Sequence, residues 1–163
     1  MNIRKANMCE IDRAMELFDI GREYMRANGN NNQWVNGNPQ RELIEADINN
    51  GYLYVCEYEG NIEGVFAMIF GEDKTYNYIE GAWLNDEPYA AIHRVASSGK
   101  VRGLVKAITD FAAFQFTNLR GDTHADNITM QNAFSKAGYE KCGVIYLENG
   151  APRIAYHKCI KKN

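Results

Sequence analysis

Apolar positions along the chain change period several times, and each change predicts an element. Residues 2–6 form a short strand, after which Ile11, Ala14, Met15, Phe18 and Met25 recur at helical spacing, on one face of a first helix. Residues 27–38 are dominated by Asn and Gly around Trp34 and Val35. Those residue types tolerate left-handed backbone, so the stretch predicts a loop. Pro39 stands where a helix can begin, and residues 40–50 form a second helix closed by Gly51. Residues 52–58 and 61–70, rich in aromatic and β-branched types, flank Glu59 and Gly60 and predict a hairpin.

Residues 71–89 are a polar and aromatic connection carrying Trp83, with a ragged strand at 76–80. Residues 90–97 are the next strand, interrupted by Gly99. Val101, Leu104, Val105, Ile108, Phe111 and Ala112 then lay an apolar stripe along a third helix. A strand at 118–122, a helix at 127–137 stopped by Gly138, and a hairpin of 140–146 with 153–158 around Glu148, Asn149 and Gly150 complete the pattern. This order predicts a mixed α/β fold around one sheet.

Composition narrows the class. The 163 residues, 45% hydrophobic and 24% charged, fit one domain, 1–163, with a proper core. With 18 basic against 21 acidic residues the net charge is -3, which argues against a general nucleic-acid footprint. The longest apolar run, 65–70, is far below the roughly 20 residues of a membrane span. Arg4, Lys5 and Glu10 leave no signal-peptide core, so a cytoplasmic protein without a membrane partner is expected. Cys9, Cys56, Cys142 and Cys159 are scattered with no C-x-x-C pair. They predict reduced, mostly packed thiols, and no metal site or disulfide framework.

The chemistry concentrates in residues 88–109, which contain Arg94, Lys100, Arg102 and Lys106 and no Asp or Glu. A strand, a Gly-containing turn and a helix start lie there, an arrangement whose free backbone N–H groups can hold phosphates. The alternative is a solvated basic helix face. Neither Gly-x-x-x-x-Gly-Lys-Ser/Thr nor Gly-x-Gly-x-x-Gly occurs.

The run from Ile92 through His93, Arg94, Val95, Ala96, Ser97, Ser98, Gly99, Lys100, Val101, Arg102 and Gly103 to Leu104 resembles the central strand, pyrophosphate turn and helix of the GNAT superfamily, N-acetyltransferases that use acetyl-coenzyme A. The family turn is Arg/Gln-x-x-Gly-x-Gly/Ala. Gly103 fits its last position, whereas Val101 stands at the earlier Gly and Ser98 at the Arg or Gln. A second stretch, from Arg120 through Asn127 and Met130 to Ala137, Gly138, Tyr139 and Gly143, is similar to the family's fifth strand, Asn-led fourth helix and Gly-aromatic exit.

The resemblance covers essentially the whole chain and implies a single mixed, mostly antiparallel, V-splayed sheet of six to seven strands flanked by four helices. It further implies that backbone groups of Val95, Ala96 and Ser97 contact the acetyl and pantetheine portion of acetyl-coenzyme A. Amides of Lys100, Val101, Arg102, Gly103 and Leu104 would hold the pyrophosphate, with Asn127 among the cofactor-binding residues.

Acetyl transfer to an amine needs a neutral amine, stabilisation of the developing oxyanion and a proton for the departing thiolate. His93 is the first candidate for general base, because an imidazole accepts a proton near neutral pH; a structural imidazole within the sheet is the alternative. Alternation puts His93, Val95 and Ser97 on one face and Arg94 and Ala96 on the other. His124 with Asp122, and Glu80, are further base candidates, with Asp126 or Asn127 as a helix cap.

The family's proton-donating Tyr slot holds Phe134, leaving Ser135, Tyr139, another Tyr or water. Trp34, Val35 and Trp83 are expected either to flank the acceptor mouth or to cover core. The function implied is N-acetylation of a small-molecule or protein amine by direct attack in a ternary complex, by a monomer or homodimer. A catalytically silent acyl-coenzyme A binding module and a generic α/β domain are the rival expectations.

Overall fold

The computed structural model describes residues 1–161. In chain order these form β1 (Asn2–Lys5), α1 (Ile11–Ala27), α2 (Arg41–Asn49), β2 (Leu53–Tyr58), β3 (Asn61–Phe70), β4 (Glu80–Gly81), β5 (Ala90–Ser97), α3 (Leu104–Ala113), β6 (Asn118–Thr123), α4 (Ile128–Lys136), β7 (Glu140–Tyr146) and β8 (Pro152–Cys159). The strand order is β1-β2-β3-β5-β6-β8-β7-β4. β5 runs parallel to β6, with Ala90 opposite Leu119; β1 with β2, β2 with β3, β6 with β8, and β7 with both β8 and β4 are antiparallel. The fold is thus the mixed, mostly antiparallel α/β architecture with four helices. No helix of the described residues is long and apolar enough to cross a membrane.

Two expectations need correction. The ragged strand at 76–80 is instead a 3-10 turn at Lys74–Tyr76, whose N-terminal amide at Thr75 is capped by Asp73, followed by the two-residue β4. Among the described residues the sheet therefore has eight strands instead of six or seven. β4 can pair because both partners lack side chains: a Cβ on Gly81 would fall 2.2 Å from the Cys142 carbonyl oxygen, and one on Gly143 2.0 Å from that of Glu80. The third helix begins at Leu104, three residues after Val101, because residues 99–102 are bends and Gly103 is left-handed.

The chain divides into two compact units. The first is Met1–Met68 with His93–Leu104. Its core joins Ala14, Leu17 and Phe18 of α1 and Ile44 of α2 to Leu53, Val55 and Val65 of the strands and Ala96 of β5. The spacing of 53 with 55, and of 14 with 17 and 18, is the two-residue and helical periodicity read in the sequence.

The second unit is Ile69–Ile92 with the chain from Val105 onward. On one side of its strands lie Tyr76, Tyr89, Ala91, Ile145 and Ala155, with Trp83 packed against them. On the other, Phe134 stacks on Tyr156 at 4.7 Å and meets Tyr139 edge-on at 4.9 Å. Gly121 makes room for the Phe134 ring, since a Cβ there would lie 2.7 Å from it. Arg120 is 4% exposed. Its guanidinium lies between Trp83 and Tyr89, 4.1 and 4.0 Å from their centroids, and donates to the Asn85 carbonyl. Two ring faces thus take the place of a carboxylate.

His157 is fully buried in this unit. Nδ1 accepts from the Leu84 N–H at 3.1 Å and Nε2 sits 2.9 Å from Asn118 Oδ1, so the ring is neutral with its proton on Nε2. Burial, with nearby Arg120, pulls its pKa down to about 4. The unfolded chain therefore binds a proton below about pH 6.5 that the folded chain refuses, and stability falls as pH drops from there toward 4. Urea unfolding from pH 7 to 4 is expected to show a His157-dependent loss approaching 3 kcal/mol. His157→Gln, less stable at pH 7, should show a shallower pH dependence; parallel curves would contradict this account.

Candidate active site

β5 departs from regular strand geometry at one residue. Arg94 has φ +52, and His93, Arg94 and Val95 are all half-buried in succession. The left-handed residue interrupts the regular strand there, yet Arg94 and Ala96 both meet the helices α1 and α2, the shared face on which alternation put them. Arg94 donates from Nε to Asp47 Oδ2 at 2.8 Å and from Nη2 to Oδ1 at 3.1 Å. Asp47, on α2, is 4% exposed. Burial raises its carboxyl pKa, and Arg94, with His93 nearby, opposes the rise.

Past the strand, the turn is tied down by its own hydroxyls. Ser97 Oγ accepts from the Gly99 N–H at 3.0 Å and Ser98 Oγ from the Lys100 N–H at 3.2 Å. Ser98 donates its hydroxyl to the buried Glu63 carboxylate, and its N–H to the Glu63 carbonyl at 3.0 Å. Arg13 of α1 lies 3.6 Å from that carboxylate. The position that holds Arg or Gln in the family turn is therefore an internal anchor.

The Lys100 amide, expected to be free, is already bonded. Among the described residues, the amides of Val101, Arg102, Gly103 and Leu104 have no such acceptor. The left-handed positions are Gly99 at φ +83 and Gly103 at φ +71, while Val101 keeps an ordinary negative φ, so its side chain is no obstacle at the earlier Gly position. Leu104 packs over Gly64 of β3, where a Cβ would come 2.8 Å from it.

Of the four basic residues, Arg94 points into Asp47 and Lys106 pairs with Asp110 at 2.6 Å. Lys100 and Arg102 remain exposed beside the open amides. Free N–H groups at a helix start with two adjacent cations form an anion cradle.

No family model and no curated protein matches this sequence. Among solved structures, an acetyltransferase of the GNAT family from Streptococcus agalactiae 2603 is 36% identical, with a TM-score of 0.89 over 99% of this chain and 96% of that one. The chain belongs to the GNAT family of acetyltransferases. A Staphylococcus aureus Mu50 chain provisionally assigned as an acetyltransferase is 26% identical, with a TM-score of 0.71 over 99% of this chain and 100% of that one. The aminoglycoside acetyltransferase AAC(6')-Ib, solved with coenzyme A and kanamycin, shares the fold at 16% identity, with a TM-score of 0.63 over 97% of this chain and 94% of that one.

Within this GNAT chain the other sequence candidates separate. Val95, Ala96 and Ser97 continue β5 beyond Arg94, Ala96 buried against α1 and the other two half-buried. Asn127 belongs to the second unit, and its side-chain oxygen accepts from the Met130 N–H at 3.0 Å as the cap of α4. Asp122 and His124 are not a pair. Asp122 accepts from the Tyr76 hydroxyl at 2.6 Å, whereas His124 Nδ1 accepts from the Asp126 N–H at 2.9 Å. Glu80 is exposed and bonded by the Tyr146 hydroxyl.

Trp34 packs on Phe18 in the first unit and Trp83 donates to the Tyr76 carbonyl in the second; both cover core. Cys9 and Cys159 are exposed instead of packed; all four thiols are free, and burial pushes Cys56 up to about 12.

Phe134 in the GNAT Tyr slot is 2% exposed and purely apolar. Tyr139 receives a hydrogen bond from Thr109 at 3.2 Å, and burial pushes its pKa up to about 12. The Tyr156 hydroxyl, beside Phe134, is buried with no hydrogen-bond partner among the described residues. Sequence reasoning missed Asp47, Glu63 and Tyr156. Asp47 lies three residues after the buried Ile44, and Glu63 shares strand parity with Val65, so each carboxylate sits on an inward face.

The dihedrals give a direct check. Gly103→Ala forces an L-residue into the left-handed region, which costs about 1–2 kcal/mol. Val101→Gly changes only chain entropy and a half-exposed side chain, costing under about 1 kcal/mol. Denaturant unfolding should rank the variants in that order; the reverse order would contradict the turn geometry.

Proposed function

We propose that this protein is an acetyl-coenzyme A-dependent N-acetyltransferase acting on a primary amine of a small molecule or protein in a ternary complex. The observation that carries the reading is the turn after β5. Its first two amides are bonded to serine hydroxyls, its next four have no acceptor among the described residues, and Lys100 and Arg102 stand exposed beside them. That donor set fits a pyrophosphate. The 36%-identical GNAT relative supports the acyltransferase class.

Acetyl-coenzyme A supplies an activated carbonyl carbon: a C–N bond forms as the C–S bond breaks, the amine gives up a proton and sulfur gains one. His93 is the proton acceptor in this reading; it starts the irregular part of β5 and lies within electrostatic reach of Asp47. Backbone groups of Val95, Ala96 and Ser97 orient the acyl portion, which supplies proximity. In this reading the proton that sulfur gains comes from water, because Phe134 cannot donate one.

Calorimetric titration with acetyl-coenzyme A should show saturable binding. Lys100→Ala combined with Arg102→Ala should weaken it roughly tenfold, equivalent to about 1.4 kcal/mol, with less effect at high salt. Absence of binding up to millimolar ligand would refute the reading. Free-thiol release with an amine panel then distinguishes an enzyme from a silent binding module. His93→Ala should lower kcat on the order of 10²-fold and alter its pH profile; an unchanged rate and profile would remove His93 from the mechanism.

A further inference from the structure

Four non-glycine residues of the described chain have positive φ: Trp34, Asn36, Glu59 and Arg94. Trp34 and Asn36 lie between α1 and α2, and Glu59 forms the turn between β2 and β3. Those are places where the chain must reverse. Arg94 alone lies inside a strand, directly before Val95, Ala96 and Ser97. A long side chain in that conformation is disfavoured because Cβ crowds the following carbonyl oxygen, so it persists only where surrounding contacts determine it.

The contact at Arg94 is specific. Both carboxylate oxygens of Asp47 are taken, by Nε and Nη2 of the same guanidinium, at 2.8 and 3.1 Å. The Asp47 side chain is 5% exposed and that of Arg94 19%. The Asp47 carbonyl also accepts from the Tyr52 N–H at 2.8 Å, which fixes the end of α2 to the approach of β2. A buried pair of this kind is weak evidence for stability, because removing two charges from water offsets their attraction. Planar bidentate geometry does fix orientation, and lysine could not reproduce it.

We propose that Asp47 is a positioning residue: through its bidentate bond to Arg94 it holds β5 in the left-handed conformation at residue 94, and so sets the direction in which the backbone groups of Val95, Ala96 and Ser97 face acetyl-coenzyme A. The inference rests on the function proposed above. It adds a residue of α2, outside the strand and its turn, to the set that determines cofactor affinity.

The test separates the ion pair from the conformation it imposes. Asp47→Asn removes the carboxylate, and in that background residue 94 is changed to Gly, Asn or Ala. None of these makes the pair, but their tolerance of positive φ falls in that order. Acetyl-coenzyme A affinity is measured by calorimetry well below each melting temperature, where a merely stabilising pair leaves the folded site unchanged.

The expected result is binding within about threefold of wild type for Arg94→Gly, intermediate for Arg94→Asn, and at least tenfold weaker for Arg94→Ala. If the Ala variant does not fold, the Gly and Asn variants carry the comparison. Equal affinity across the folded variants, whether wild-type or weak, overturns the positioning role. Wild-type protein that fails to bind acetyl-coenzyme A overturns the proposed function itself.

Discussion

A charged side chain drawn into a protein interior must meet its opposite charge or an equivalent, and the bidentate bond between Arg94 and Asp47 is where this requirement shapes the molecule. It connects the middle of β5 to α2 and coincides with the positive φ that interrupts the strand. Arg120 shows a different solution to the same problem. It has two aromatic faces and one carbonyl, and it lies in β6 with ordinary strand geometry. Rings accept a guanidinium over a broad area, whereas a carboxylate pair dictates its direction. The directional partner is found where the backbone is unusual.

The turn after β5 follows from a similar accounting of hydrogen bonds. Every backbone N–H near a helix start needs an acceptor from a side chain, water or ligand. Ser97 and Ser98 satisfy Gly99 and Lys100, and Glu63 satisfies Ser98 in both side chain and backbone. The rigid first half of the turn thereby presents the open amides of its second half. Under the proposed function, this is how the chain would dispense with the Arg or Gln and the earlier Gly of the turn it resembles. The Glu63 anchor takes the place of the first, and Val101 never enters the left-handed region.

Much of the fold was legible because it depends on periodicity. The four helices, the two hairpins and the strand 90–97 follow from spacing that any burial must respect. The basic window and Gly103 were legible as composition. Features that depend on one residue meeting another far along the chain were not: Asp47 with Arg94 are 47 residues apart and Glu63 with Ser98 are 35. β4 was placed a few residues early because its pairing depends on two glycines meeting face to face, a property invisible to residue preference. The left-handed residue inside β5 was hidden for the same kind of reason, since one tertiary contact accompanies a reversal of local preference. Asp122 and His124 looked like a pair because they are close in sequence, yet each is engaged with a different partner.

The central claim is that a turn with its first amides internally bonded leaves four others to an anion. Amide hydrogen exchange, resolved residue by residue by NMR with and without acetyl-coenzyme A, tests it directly. The account predicts that Gly99 and Lys100 are protected in the free protein, and that Val101, Arg102, Gly103 and Leu104 exchange fast when free and gain protection together when the ligand binds. Slow exchange at Val101 through Leu104 without ligand, or protection on binding confined to other amides, would contradict it.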